Sequence, residues 1–382
     1  MRSNCDSAPF HRICLVLVLS WLIPSRPCAA EGDWEITPAS EESLELGLQW
    51  LAENQGPDGS WGSKDLGLVG MGALAFLSAG HTPGHGKYGA AVDRALGHIL
   101  KSARPSGLLN VADARRDMYN HGLATFVLGQ AYGMTNDARI GPVLDRALGL
   151  IASTQCDDGG WDYTARRLPR GHDLSLAVMQ AKALRSALDS GLRVSPAVTG
   201  LALRSVREHY RSKSGRTNPD DPEIRTEPGT FTYDGKKVTL AMAACGVVCL
   251  QEYGQYDDWR IGRNMDYVLA NVRRWKPGNR NGRIPEGAYT MYYVGQALYQ
   301  VGGEAWQEGY PHLRDTLVAN QKLVPGDPLQ HGVWEDGQHV QGRAGQLYGT
   351  AVGCFILAMP NRYLPILQEG RIDALQTPAK RN

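Results

Sequence analysis

The chain carries almost no net charge: 40 basic side chains stand against 39 acidic ones, a formal +1. Such a balance offers no strong field to nucleic acid or to an anionic lipid surface, and both are set aside as partners. Cysteine supplies no framework either. The seven present show no CxxC spacing, so disulfides are not expected to hold the chain together. Cys245 and Cys249 lie four apart in an apolar stretch, where they read as small buried apolar groups. Beyond residue 30 no segment reads as transmembrane.

The first thirty residues read as a leader. Arg2, His11 and Arg12 precede the apolar run Ile13 to Ile23, and a Pro24/Pro27 break leads to Cys28-Ala29-Ala30. That order of charged, apolar and small residues is the pattern of a secretory signal, with cleavage expected after Ala30. The run of about 11 residues is too short to span a bilayer. The leader holds Arg2, Arg12 and Arg26 against Asp6, so its loss would turn the formal +1 into −1. A secreted or periplasmic protein is expected, with a repeat domain over 31–376 and a tail over 377–382.

What the sequence does have is a rhythm. An amphipathic segment, Pro38 to Gln55, repeats Leu44, Leu48 and Leu51 at helical spacing behind a Ser40 cap. Its successor, Leu66 to Ala79, is apolar on every side and must be buried all round. The couple recurs as 90–101 with 119–132, 143–154 with 174–188, 197–210 with 238–253, 259–273 with 288–301, and 313–321 with 346–359. Six such couples predict an all-α fold, an α/α toroid: amphipathic outer helices around greasy inner ones. Closure is favoured over an open solenoid because the inner segments offer no charged stripe to water. Two polar stretches, 211–237 and 276–287, interrupt the rhythm as long loops.

The turns within couples carry a signature. The first reads Gln55-Gly56-Pro57-Asp58-Gly59-Ser60-Trp61, the third Gln155-Cys156-Asp157-Asp158-Gly159-Gly160-Trp161, and the sixth places Gly332-Val333-Trp334 after Gln321. Couples two and four are degenerate, at Gly107-Leu108-Leu109 and Gly229-Thr230-Phe231, and the fifth has no clear match. This resembles the Gln-Trp repeat of squalene-hopene and oxidosqualene cyclases, shared more loosely with prenyltransferase β subunits. Tyr348-Gly349-Thr350-Ala351 and the run Arg362 to Gln368 look like exported bacterial members of that superfamily with unassigned chemistry. The roles implied are structural: Gln reaches free carbonyls of its helix and free N–H groups of the next, Gly allows the reversal, and Trp caps the hairpin.

The catalytic motifs of those families are missing. Cyclases use an Asp-x-Asp-Asp run to keep one carboxyl protonated; the nearest counterpart here is Asn218-Pro219-Asp220-Asp221, in a polar loop. Prenyltransferases hold zinc with Asp-x-Cys and a distant His; no Asp-x-Cys occurs. The Gly-Cys-Gly-Glu-Gln thioester of complement-like toroids is absent as well. No metal or cofactor is therefore expected.

Polar residues at the starts of the inner helices remain. His121, His172 and Asp173 are candidates for acid–base work or, as a set, for metal ligation, weighed against simple helix capping. Tyr119, Tyr289, Tyr292, Gln346 and Tyr348 are candidates for lining a cavity that takes an apolar small molecule or a peptide. The expectation is a non-catalytic binding or scaffold toroid. The alternatives are a terpene cyclase-type isomerase and, ranked last, a glycosidase using Asp173 and Glu286.

Overall fold

The computed structural model describes residues 34–368, apart from 217–220, 276–277, 279–280 and 341–342. The expected leader, its cleavage point, the tail, and Asn218-Pro219-Asp220 lie outside the described residues. Twelve α-helices occur among the described residues, in six pairs. They are α1 (Pro38–Glu53) with α2 (Leu66–Ser78), α3 (Gly89–Ser102) with α4 (Asp117–Thr135), and α5 (Gly141–Thr154) with α6 (Leu174–Asp189). The series continues as α7 (Pro196–Glu208) with α8 (Leu240–Glu252), α9 (Arg260–Val272) with α10 (Ala288–Val301), and α11 (Gly303–Asn320) with α12 (Gln346–Ala358).

Burial sorts the pairs into two layers. The odd helices bury a single stripe: α3 hides Val92, Ala95, Leu96 and Ile99 and turns Arg94 and Lys101 outward. The even helices are buried nearly all round, α2 at every position but Leu68. Each even helix packs on the next, and α12 packs back on α2, so the inner ring closes. Ala73 and Val352, which an open array would wet, are fully buried. The fold is an all-α, closed α/α toroid.

Several local details differ from the sequence reading. Thr37 caps α1 and Ser40 sits three residues inside, completing a capping box. The last outer helix begins at Gly303, ten residues before the expected start, and continues through Pro311. Proline normally marks a helix boundary, which is why the sequence points to a later start. The inner helix α6 is not free of charge, since Lys182, Arg185 and Asp189 fall on it.

The long loops are seated rather than loose. In the first, β1 (Tyr210–Ser212) pairs antiparallel with β2 (Gly229–Phe231), placing Tyr210 opposite Phe231. Phe231 is fully buried and its N–H donates to Asn264 of α9 at 3.0 Å. In the second, Ile284 is buried and its N–H donates to the Glu335 carbonyl. A second ladder, β3 (Asp336–Val340) with β4 (Arg343–Gly345), leads into α12.

Candidate functional site

Outer and inner helices alternate in direction, so one end of the ring collects the turns within pairs and the inner-helix N-termini. The other end collects the inner-helix C-termini. The signature residues work at the first end. Trp61, Trp161 and Trp334 donate their indole N–H to carbonyls in the last turns of their own outer helices, Leu51, Ile151 and Leu317, at 2.7–2.9 Å. Each Gln joins its hairpin to the next one. Gln55 donates to Ala91 in α3, Gln155 to Val198 in α7, and Gln321 to Ser43 in α1, at 2.8–3.0 Å. Each side-chain amide also donates to a carbonyl within its own turn, that of Gly59, Gly159 or Gly332. The acceptors on neighbouring helices are thus carbonyls, where the repeat signature implies free N–H groups. Gly159 has φ +92 and presses on the Leu201 carbonyl of α7, leaving no room for a side chain.

His121 does the same work in a degenerate turn. The Leu109 N–H donates to its Nδ1 and its Nε2–H donates to the Ala147 carbonyl of α5, both at 3.1 Å. It is fully buried, and burial pushes its pKa down to about 4. A neutral imidazole with both nitrogens engaged is a joint between hairpins.

The other N-terminal candidates are engaged as well. Asp173 caps α6, accepting from the Ser175 and Leu176 N–H groups, and its other oxygen accepts from Tyr163. Tyr163 and Tyr233 bond hydroxyl to hydroxyl at 2.8 Å, and Tyr119 bonds Ser175. His172 lies apart from His121, on the Tyr163 ring with its Nε2 2.8 Å from Asp162. Glu286 is exposed, unlike the capping Asp173. Asp221 accepts from the Glu223 N–H and from Arg216 on the surface. Gln346 donates to Glu335 at 2.9 Å. Tyr289, Tyr292 and Tyr348 are buried; Tyr292 packs on Tyr293 and Phe355, and Tyr289 on Tyr293 and the Cys245 thiol. Burial raises the Tyr289, Tyr292 and Tyr293 phenols well above their ordinary pKa. These rings pack on one another in the interior.

Open space lies at the opposite end. A cavity of about 1000 Å³ sits among the C-terminal ends of α6, α8 and α10, walled by Arg185, Glu252, Tyr256, Tyr299, Gln300 and Trp306. The two ends of the described chain complete it, Trp34 and Glu35 on one side and Arg362 to Gln368 on the other. None of the candidate residues named from the sequence lines it. The closing segment is tied down by the Ile366 N–H on Gln130 and by Tyr299 on the Leu367 carbonyl.

Apart from the exposed Asp257, the charges that line this cavity are paired. Glu252 lies 3.3 Å from Lys182, both almost wholly buried, and also accepts from Gln300 at 2.8 Å. Lys182 bonds Gln296 and sits 4.3 Å over the Phe126 ring. Burial pulls its pKa down while Glu252 pulls it back. Arg185 donates Nε–H to Asp189 at 2.8 Å and reaches the Tyr256 hydroxyl at 3.1 Å. Arg362 grips Glu35 through two bonds of 3.0 and 3.1 Å, and Trp306 donates to the same carboxylate. The sequence does hold a signal: Lys182, Arg185 and Asp189, three and four apart, share one face of a helix that is otherwise uncharged.

No family model and no curated protein matches the chain. Solved structures do. The GH76A α-1,6-mannanase from Salegentibacter sp. HEL1_6 superposes with a TM-score of 0.53 at 10% identity, over 85% of this chain and 98% of that one. An inactive variant of that enzyme, with two adjacent aspartates replaced by alanine and α-1,6-mannotetrose bound, gives 0.52 at 11% identity, over 88% and 100%. At such identities the likeness is one of fold, the α/α toroid.

Proposed function

We propose that the protein is an exported toroid of the squalene cyclase and prenyltransferase repeat kind that binds a neutral, polyhydroxylated ligand, a saccharide, in the cavity at the inner-helix C-termini. One observation carries the reading: the cavity is polar, and its buried charges are each neutralised by a partner, leaving the exposed Asp257 at its wall as the one lining charge with no ion pair among the described residues. Such a wall offers hydrogen-bonding groups with little net field, as an uncharged polyol requires. Helix C-termini add outward carbonyls, which accept from hydroxyl groups. Tyr299, Trp34 and Trp306 supply aromatic surface. The bound mannotetrose of the structural neighbour belongs to that enzyme and suggests a first probe.

Binding without catalysis is supported by the missing Asp-rich and zinc motifs. A terpene cyclase-type isomerase needs a free acid facing open apolar space, whereas Asp173 is occupied as a helix cap. An apolar ligand finds no free aromatic face at Tyr292 and Tyr293, which are buried against one another.

Titration calorimetry of the purified mature chain tests the proposal. α-1,6-Mannotetrose and other neutral tetrasaccharides are expected to bind at micromolar to millimolar strength, with Glu252→Gln weakening affinity roughly tenfold. Binding of squalene or farnesol with every saccharide inert would overturn it. Export is checked by N-terminal sequencing after expression with the full leader, where Glu31 is expected first.

A further inference from the structure

The charged stripe of α6 runs from the packed middle of the ring toward the cavity: Lys182 is 1% exposed at its side chain, Arg185 and Asp189 10% each. Glu252 on α8 faces the stripe, so Arg185 stands between two carboxylates. It holds one of them, Asp189, through Nε, and both favour its positive charge against the cost of burial. The two oxygens of Asp189 are unequal. Oδ1 accepts from Arg185, whereas Oδ2 is buried with no partner. A bare buried carboxylate oxygen is a place for a proton. The charges acting on Asp189 are Arg185 and Lys182 from its own helix and Glu252 from α8; α4, packed on its other side, brings the neutral Gln130, bonded to Ser186.

We propose that Asp189 is a positioning residue for the cavity: ionised, it draws Arg185 along α6 and leaves Glu252 to its bonds with Lys182 and Gln300; protonated, it releases Arg185 toward Glu252 and rearranges the stretch of cavity wall that Arg185, Glu252 and Gln300 form. Burial, reinforced by Glu252 and opposed by Arg185, pushes the Asp189 carboxyl up to about 6. Above that pH Arg185 is held on α6, and below it Arg185 swings toward Glu252 and reshapes the wall, so binding weakens on acidification. The ligand part rests on the saccharide reading; the pairing of Arg185 does not.

The experiment separates the two. Nitrogen-15 NMR of the Arg185 Nε–H in the whole protein, from pH 8 to pH 4.5, should show a transition with its midpoint near 6. Asp189→Asn should abolish it and Glu252→Gln should keep it. A flat resonance, or the same transition in Asp189→Asn, overturns the proposal. In parallel, native affinity for α-1,6-mannotetrose should fall roughly tenfold between pH 7.5 and pH 5, while Asp189→Asn stays at the weaker level throughout. Affinity equal at the two pH values in the native protein also overturns it. A persistent NMR transition with no tetrasaccharide bound at any pH supports the switch and removes the saccharide reading.

Discussion

A buried histidine with both ring nitrogens engaged cannot take a proton without losing a bond. His121 meets the Leu109 N–H and the Ala147 carbonyl, groups that belong to different hairpins. His121→Phe preserves the bulk, leaves the Leu109 N–H buried and unpaired and removes the extra bond to the Ala147 carbonyl, an expected loss of about 1–3 kcal/mol in urea denaturation at pH 7.5. Its folded pKa, about 4, lies below the ordinary 6.5. The stability it contributes is therefore complete above pH 6.5 and lost as pH falls toward 4. Asp189 has the opposite sign. Raised from 3.8 to about 6, it costs stability above pH 6, and that cost is relieved as pH drops toward 3.8. Denaturation of His121→Phe and Asp189→Asn across pH 4 to 8 should thus change the native profile in opposite directions. Parallel profiles would contradict these assignments.

The element that matters most is the joint between neighbouring hairpins, and two glycines on it and off it can be compared. Gly159 and Gly191 both have positive φ, +92 and +77. A Cβ on Gly159 would lie 2.1 Å from the Leu201 carbonyl, while one on Gly191 would meet nothing within 4 Å. Gly191→Ala should cost only backbone strain, about 1–2 kcal/mol. Gly159→Ala should cost several kcal/mol more, because α7 must retreat. Thermal melts followed by circular dichroism rank the two, and equal melting temperatures would refute the argument. Trp161→Phe keeps most apolar contact and frees the Ile151 carbonyl, for an expected loss of about 1–3 kcal/mol.

Over the whole molecule, closure changes how the parts depend on one another. An open array is stabilised by nearest neighbours and frays from its ends. Here Gln321 of the last hairpin donates to Ser43 of the first, α12 packs on α2, and Arg362 pairs with Glu35. Terminal and middle pairs are therefore equally enclosed. Hydrogen exchange should protect α12 as strongly as α6, and Gln321→Ala should lower the protection of α1, α2 and α12 together. Selective fraying of α11 and α12 in the native protein would show that the ring is held as an open array.

Much of this is legible in the chain itself. The all-apolar character of 66–79, shared in weaker form by its successors, is a local property, since no water-facing position exists for such a helix. Turn chemistry is local too, and Gln, Gly and Trp within a few residues of one another announce the hairpins of pairs one and three. The role of His121 as a substitute joint is not legible, because its partners, Leu109 and Ala147, lie 12 and 26 residues away. Nor is the location of the open cavity. Polar residues cluster in sequence at the inner-helix N-termini, and in the folded chain those are caps and joints. The cavity joins side chains from α6, α8 and α10 to both ends of the described chain, and its Glu35–Arg362 pair spans 327 residues. Helix faces and turns follow from neighbours along the chain, so the sequence alone determines them. Which charges meet, and where space stays open, follows from closing the ring, and only the tertiary structure decides that.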